Sequence, residues 1–161
     1  GILNVAAIAG CHQRLKCLVM GTSDLSKDLH AAQVAGRLPL LVSLGQCLLA
    51  ARAYDLSIID GVHLNLDDDA GFEAACQQGV ELGFDGKSLI HPKTLASANR
   101  IFAPSAASIS RATAVLAAWK EAQAKGSGVT LLDGQLIEIL HVREAERLLA
   151  LAHAIETREA A

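Results

Sequence analysis

The chain has 161 residues, 14 Lys+Arg against 17 Asp+Glu, and a net charge of −3. At 52% hydrophobic and 19% charged residues it is too apolar for a disordered segment. Aromatics at 3% and the lack of a basic stripe argue against a nucleic-acid partner, and the absence of an uncharged apolar run of about 18 residues argues against a membrane span.

Gly1–Ala9 spaces Ile2, Val5, Ala6 and Ala9 as one helical face. It carries no Ser, Thr or Asp cap and no basic leader of a secretion signal. A helix without a visible start predicts further sequence upstream. Three short apolar runs, Cys17–Met20, Ser57–Asp60 and Lys87–Ile90, predict buried strands. Each ends in a polar turn: Gly-Thr-Ser-Asp, then Gly-Val-His-Leu-Asn, then His-Pro-Lys. Such runs separated by helices are the pattern of a parallel sheet covered on both faces.

Pro39 suits a first helical position, and Leu41, Leu44, Leu48 and Ala51 follow as one stripe. A second helix is expected over about Ala70–Leu82, with Phe72, Ala75, Cys76 and Gly79 inward. Asp67, Asp68 and Asp69 precede it, where the helix dipole favours acids. Ser105 can cap a long helix with Ile109, Ala112, Leu116 and Trp119 inward, stopped by Gly126. Val129–Leu132 reads as a short extended segment and Asp133-Gly134 as a turn. A final helix is expected from about Leu136 to Thr157, with Ile137, Ala145, Leu148, Ala152 and Ile155 on one face.

The fold class is therefore α/β. Three β-α units do not easily close alone, and a (β/α)8 barrel takes about 250 residues. The expected architecture is the C-terminal part of such a TIM barrel at 1–104, followed by a helical extension at 105–161. Cys11, Cys17, Cys47 and Cys76 contain no C-x-x-C pair. They read as reduced thiols of a cytoplasmic or organelle-matrix protein.

Gly86-Lys87-Ser88 is not a P-loop tail: Glu81 stands where the pattern needs Gly, and the chain continues as a strand. Asn65–Gly71 is not a calcium loop, because Cys76 occupies the twelfth place. Asp24 lies just past the first strand, at the edge where parallel barrels collect catalytic groups; it can hold Mg²⁺ or cap Leu25–Leu29. Asp60 ends the second strand and can fix the loop backbone or meet substrate. His91, extended by Pro92, is a loop histidine or a ligand contact. His12, His30, His63, His141 and His153 form no metal-binding pair. Glu138 reads as a first-turn acid of the last helix.

Met20-Gly-Thr-Ser-Asp-Leu, Ile59-Asp-Gly-Val-His-Leu-Asn-Leu-Asp-Asp, Gly71-Phe, Leu82-Gly-Phe-Asp-Gly-Lys-Ser-Leu-Ile-His-Pro, Phe102-Ala-Pro-Ser and Asp133-Gly-Gln-Leu-Ile-Glu stand in that order. Together they resemble the HpcH/HpaI aldolase and citrate lyase β-subunit family. The resemblance implies barrel strands six to eight, a homotrimer or hexamer, and Mg²⁺-dependent C–C cleavage or formation in a 3-hydroxyacyl-CoA such as citryl-CoA or malyl-CoA. It implies Asp24 as a metal ligand, with the family's glutamate partner and its carboxylate-binding arginine upstream of Gly1. It implies Glu138 as an acid/base group that reaches a neighbouring subunit's site, where the family often has Asp. Lys87 and His91 fall on the CoA-side entrance, and the backbone N–H groups of Gly21, Thr22 and Ser23 fall where a keto-acid carboxylate can bind. Two alternatives stand beside the lyase: a non-catalytic acyl-CoA-binding or assembly subunit, and a metal-dependent aldolase of free hydroxy-keto acids. The extension Ser105–Glu156 counts against the aldolase.

Overall fold

Strands β1 (Cys17–Val19), β2 (Ser57–Asp60) and β3 (Gly86–Lys87) pair in parallel in that order, with Leu18 opposite Ile58 and Ile59 opposite Gly86. The computed structural model describes residues 1–160. It divides into two units, Gly1–Phe102 and Ala103–Ala161.

In the first unit the crossover from β1 to β2 carries α2 (Thr22–Asp28), a 3-10 turn (Ala35–Leu40) and α3 (Leu41–Ala53). The crossover from β2 to β3 carries α4 (Asp69–Leu82). Before β1, a 3-10 turn (Ile2–Asn4) leads into the short α1 (Val5–Ala9), whose Val5 and Ala9 are buried. Leu44, Leu48 and Ala51 of α3 pack with Ile58 and Phe84 in the main core. Full burial of a side chain such as Leu44 or Ile58 is worth about 1.5–3 kcal/mol.

The expected two-sided cover of the sheet is only half present in this chain. Ile58 and Asp60 are fully buried, while Val19 is 63% exposed. Pro39 sits inside the 3-10 turn rather than opening α3. The third strand is shorter than its apolar run. Ser88 still donates its N–H to the Asp60 carbonyl at 2.9 Å. Pro92 then opens a 3-10 turn (Pro92–Thr94), and Leu89 leaves the ladder to pack with Phe72, Cys76 and Ala98.

After that turn α5 (Leu95–Phe102) lies against α4. The link is Glu73, whose Oε1 accepts from Ser97 Oγ at 2.8 Å and Arg100 Nη2 at 2.5 Å. The Ser97 hydrogen bond, and then Arg100, hold the Glu73 carboxyl below its usual range.

In the second unit Ser105 caps α6 (Ala106–Ala124), its Oγ accepting from the Ser108 N–H at 3.1 Å. By length and composition alone the stretch 92–124 is apolar enough to cross a membrane. Its helices are interrupted at 103–105, and α6 instead buries Ala112, Val115, Trp119 and Ala122. Strands β4 (Thr130–Leu132) and β5 (Gln135–Ile137) form an antiparallel hairpin. Asp133 (φ 50°) and Gly134 (φ 75°) turn between them. Two consecutive left-handed residues are what a two-residue hairpin turn requires, and Asp-Gly supplies them at low steric cost. The last helix, α7 (Ile139–Glu159), therefore starts three residues later than its periodicity suggests, because Leu136 and Ile137 are spent on the hairpin. Val142 and Ala145 of α7 pack with Ala112, Val115 and Trp119 of α6.

Two predictions follow from these contacts. The Glu73 carboxyl has a lower pKa folded than unfolded, so its contribution is present above the unfolded value near 4.5 and is lost as pH falls through the folded value. In acid titrations followed by circular dichroism, Glu73→Gln is expected to flatten the stability loss below about pH 4.5 relative to the parent. Burial pushes the Cys47 and Cys76 thiols up, which depletes the reactive thiolate. In native thiol-labelling assays both are expected to react only after denaturant is added.

Candidate functional site

Because the strands are parallel, β1, β2 and β3 all end at one edge of the sheet, and ligands of parallel α/β sheets gather at that edge. A cavity of about 680 Å³ lies there. Thr22 and Ser23, which follow β1, line it, as do His63 from the loop after β2 and Lys87 at the end of β3. Arg37 from the 3-10 turn and Gln78 from α4 complete its polar wall.

One buried carboxylate organises this wall. Asp60 is 0% exposed. Its two oxygens accept from Arg37 Nη1 at 2.7 and 2.8 Å, and Oδ2 also accepts from Lys87 Nζ at 2.8 Å. Oδ1 takes the Gly61 N–H at 2.8 Å. Lys87 itself is 1% exposed and Arg37 16%. Arg37 Nε donates to Gln78 Oε1 at 2.7 Å, and Gln78 Nε2 donates back to the Gly36 carbonyl at 2.6 Å. These bonds hold Arg37 at φ 54°, a left-handed conformation that costs a non-glycine residue about 1–2 kcal/mol.

Gly61 is required by close approach rather than by φ. A Cβ there would stand 2.1 Å from Thr22 Oγ1, so the exits of β1 and β2 touch with no room for a side chain. His63 lies beyond it, edge-on to Phe72 at 6.0 Å between ring centroids. Its Nε2 is 3.9 Å from Asp68 Oδ2, within ion-pair range but too far for a hydrogen bond, and it is buried without a hydrogen-bond partner among the described residues. Asp68 instead caps α4, its Oδ1 accepting from the Gly71 N–H at 2.9 Å.

The residues singled out from the sequence divide into three groups. Thr22, Ser23 and Lys87 line the cavity. Lys87 does so with its ammonium bound to Asp60, so it is no freely mobile contact. Gly21 is the N-cap of α2, and Asp24 is an exposed acid in that helix's first turn, near the same edge but outside the cavity lining. Since α2 begins at Thr22, Asp24 is not the cap of a helix starting at Leu25. His91 is exposed and outside the lining, its Nδ1 accepting from the Lys93 N–H at 3.1 Å. Glu138 belongs to the second unit, where it is the N-cap of α7 rather than a first-turn residue. The His141 N–H donates to the Glu138 carbonyl at 3.0 Å, while His141 Nδ1 accepts from the Glu138 N–H at 3.0 Å.

Asp24 supplies the kind of donor Mg²⁺ takes, an exposed carboxylate oxygen at a loop edge. Among the described residues no group of three or more His, Cys, Asp or Glu gathers around a common point. Asp24 by itself offers a single carboxylate donor. Arg37 carries no sequence signal for its place in the wall, since a loop arginine reads as a solvated side chain; His63 lies inside one of the family motifs, but as a lone histidine it is not singled out.

A model of the HpcH/HpaI aldolase/citrate lyase family matches residues 1–92. The (3S)-malyl-CoA thioesterase of Cereibacter sphaeroides (strain ATCC 17023) is 48% identical over 96% of this chain and 54% of its own length. The citrate lyase subunit beta of Leuconostoc mesenteroides subsp. cremoris is 36% identical over 96% of this chain and 51% of its own. The solved structure of CitE from Mycobacterium tuberculosis, in complex with magnesium, acetoacetate and coenzyme A, superposes with a TM-score of 0.80 at 26% identity, covering 95% of this chain and 57% of that one. The chain spans about half the length of the curated relatives it matches.

Removing the central carboxylate would strand two buried cations. Asp60→Ala is expected to destabilise the full-length protein by about 3–5 kcal/mol, read as a lowered urea midpoint.

Proposed function

The chain belongs to the HpcH/HpaI aldolase/citrate lyase family, and from that premise we propose that the full-length protein cleaves or forms the C–C bond of a 3-hydroxyacyl-CoA such as malyl-CoA or citryl-CoA, yielding or consuming acetyl-CoA and a 2-keto acid. The observation that carries this reading is the position of a free carboxylate, Asp24, at the strand edge beside a polar cavity. Relatives named for citryl and malyl thioesters, and a relative solved with magnesium and coenzyme A, support the substrate class and the metal.

In this reading the three-stranded sheet is strands six to eight of a (β/α)8 barrel, and 105–161 is an extension that serves a neighbouring subunit of a homotrimer or hexamer. The protein works in the cytoplasm. Asp24 would hold Mg²⁺ together with a glutamate of another barrel strand. The chemistry that a bound Mg²⁺ supplies is polarisation of the substrate's hydroxyl oxygen and stabilisation of the charge that develops there. The backbone N–H groups at Gly21, Thr22 and Ser23 orient a carboxylate of the substrate. Thr22, Ser23, His63 and Lys87 bound the cavity and exclude bulk water. Glu138 moves the proton at the thioester's α-carbon, the step that converts the leaving enolate to acetyl-CoA. His91 retains Nε2 for a contact at the CoA side, since Nδ1 is committed to Lys93.

A second reading is hydrolysis of the malyl thioester. It is favoured by the thioesterase name of relatives 48% identical to this chain. The two reactions leave different products. Parallel assays mix full-length protein and Mg²⁺ with malyl-CoA, citryl-CoA or a free hydroxy-keto acid and, for malyl-CoA, follow glyoxylate, acetyl-CoA, malate and free CoA. Glyoxylate with acetyl-CoA supports the lyase; malate with free CoA supports the hydrolase. No product from malyl-CoA or citryl-CoA favours the non-catalytic subunit, and turnover of free hydroxy-keto acids alone favours the aldolase. Asp24→Asn is expected to weaken Mg²⁺ affinity by more than the roughly 10–100-fold seen for residues one shell further out. Unchanged turnover in that variant would refute the metal assignment.

A further inference from the structure

Among the described residues the charges in the cavity wall do not balance. Arg37 and Lys87 each bring one positive charge to Asp60, which brings one negative, so the cluster keeps a surplus of one positive charge. Burying an ion is expensive, and a second cation around one carboxylate repays its desolvation poorly. Asp60 needs only one of them: Arg37 Nη1 alone reaches both of its oxygens, and Gly61 supplies a further N–H. Lys87 has Asp60 as its one hydrogen-bond partner among the described residues, yet its side chain is 1% exposed. Two further polar atoms of the same wall, Arg37 Nη2 and His63 Nε2, are buried with no hydrogen-bond partner among the described residues. A buried polar atom left unpaired in such a place is costly. The acids that also line the cavity do not cancel the surplus. Asp68 is 46% exposed and Glu81 is exposed, so water screens both, and no contact joins either to Arg37 or Lys87.

We infer that this wall is one half of an anion site: the cavity receives a carboxylate or phosphate group of its ligand, whose charge completes the Arg37–Asp60–Lys87 cluster and fills the Arg37 Nη2 donor. Asp60 then has a second role beyond stability. It holds both cations in place while leaving their sum positive. The inference rests on the acyl-CoA reading only for which anion arrives: a free carboxylate of the acyl group or a phosphate of the CoA. The charge imbalance itself does not depend on any turnover.

The test is calorimetric titration of the full-length protein, with Mg²⁺ present, using malate as the carboxylate probe and CoA as the phosphate probe. Lys87→Met removes the surplus charge at nearly constant volume and leaves Asp60 paired to Arg37. It is expected to weaken one probe by about tenfold or more, the loss of a charge-assisted hydrogen bond. Lys87→Arg keeps the charge and is expected to stay within about threefold of the parent for that probe. The thermal midpoint of Lys87→Met is expected to equal or exceed the parent's, because a poorly compensated buried charge has been removed. Weakened malate binding assigns the site to a carboxylate, and weakened CoA binding to a phosphate. Unchanged affinity for both probes would overturn the inference, as would a parent protein that binds neither. A fall in midpoint alongside affinity would make Lys87 a structural residue and overturn it equally. These readings are separate from the product assay, so failure of turnover and failure of the anion site are distinguishable.

Discussion

The arrangement of the first unit turns on one buried carboxylate. Asp60 ends the central strand with no exposure to water, a position that an ionised acid tolerates only with partners. Its partners come from three directions: Arg37 from the crossover before it, Gly61 from its own loop, and Lys87 from the strand after it. One residue thereby ties the end of β2, the end of β3 and the turn between α2 and α3 into a single wall. The opposite edge of the sheet is held differently. There Asp85, just before β3, accepts the Ile58 N–H at 2.7 Å and pairs with Arg52, whose side chain is half-exposed. That pair is a two-pronged contact open to water, so neither charge bears the full cost of burial. The expensive electrostatics are concentrated at the edge with the cavity.

That contrast bears on how a family fold is put to use. The packing of Leu44, Leu48, Ala51 and Ile58 accounts for the core, and it uses none of the charged residues at the cavity edge. The polar wall is an additional layer, built from loops and strand ends on that rigid base. In the second unit the same division recurs. Ala112, Val115, Trp119, Val142 and Ala145 form the core, while Glu138 and His141 exchange hydrogen bonds at the start of α7.

Much of the element order was legible in the residues. Apolar runs ending in Gly or His-Pro marked the three strands, and acids and Ser105 marked the helix starts. The family motifs lie on the same loops that line the cavity, at Thr22, Ser23, His63 and Lys87. Three things were not legible, each for a physical reason. Leu136 and Ile137 fit a helical face and a strand equally, and only the left-handed Asp133-Gly134 pair, acting across the turn, decides for the strand. Leu89 and Ile90 continue an apolar run, but Pro92 pulls them out of the ladder. Arg37 sits in a loop 23 residues from Asp60. Local periodicity carries no information about which cation a buried acid will recruit over that distance. Asp60 itself read as a fixer of the loop backbone or a substrate contact; it does take the Gly61 N–H, but nothing in the residues pointed to its two cations.

The contact between Gly61 and Thr22 carries a consequence of a different kind. The second strand's exit and the first strand's exit share a volume that admits a hydrogen and nothing larger. Thr22 opens the helix that carries Asp24. Enlarging residue 61 even by a methyl group would shove that helix aside and carry the acid with it. A lesion in one loop would then surface as a defect in its neighbour, and a mutational scan would score Gly61 among the residues of the ligand edge although it has no functional group of its own.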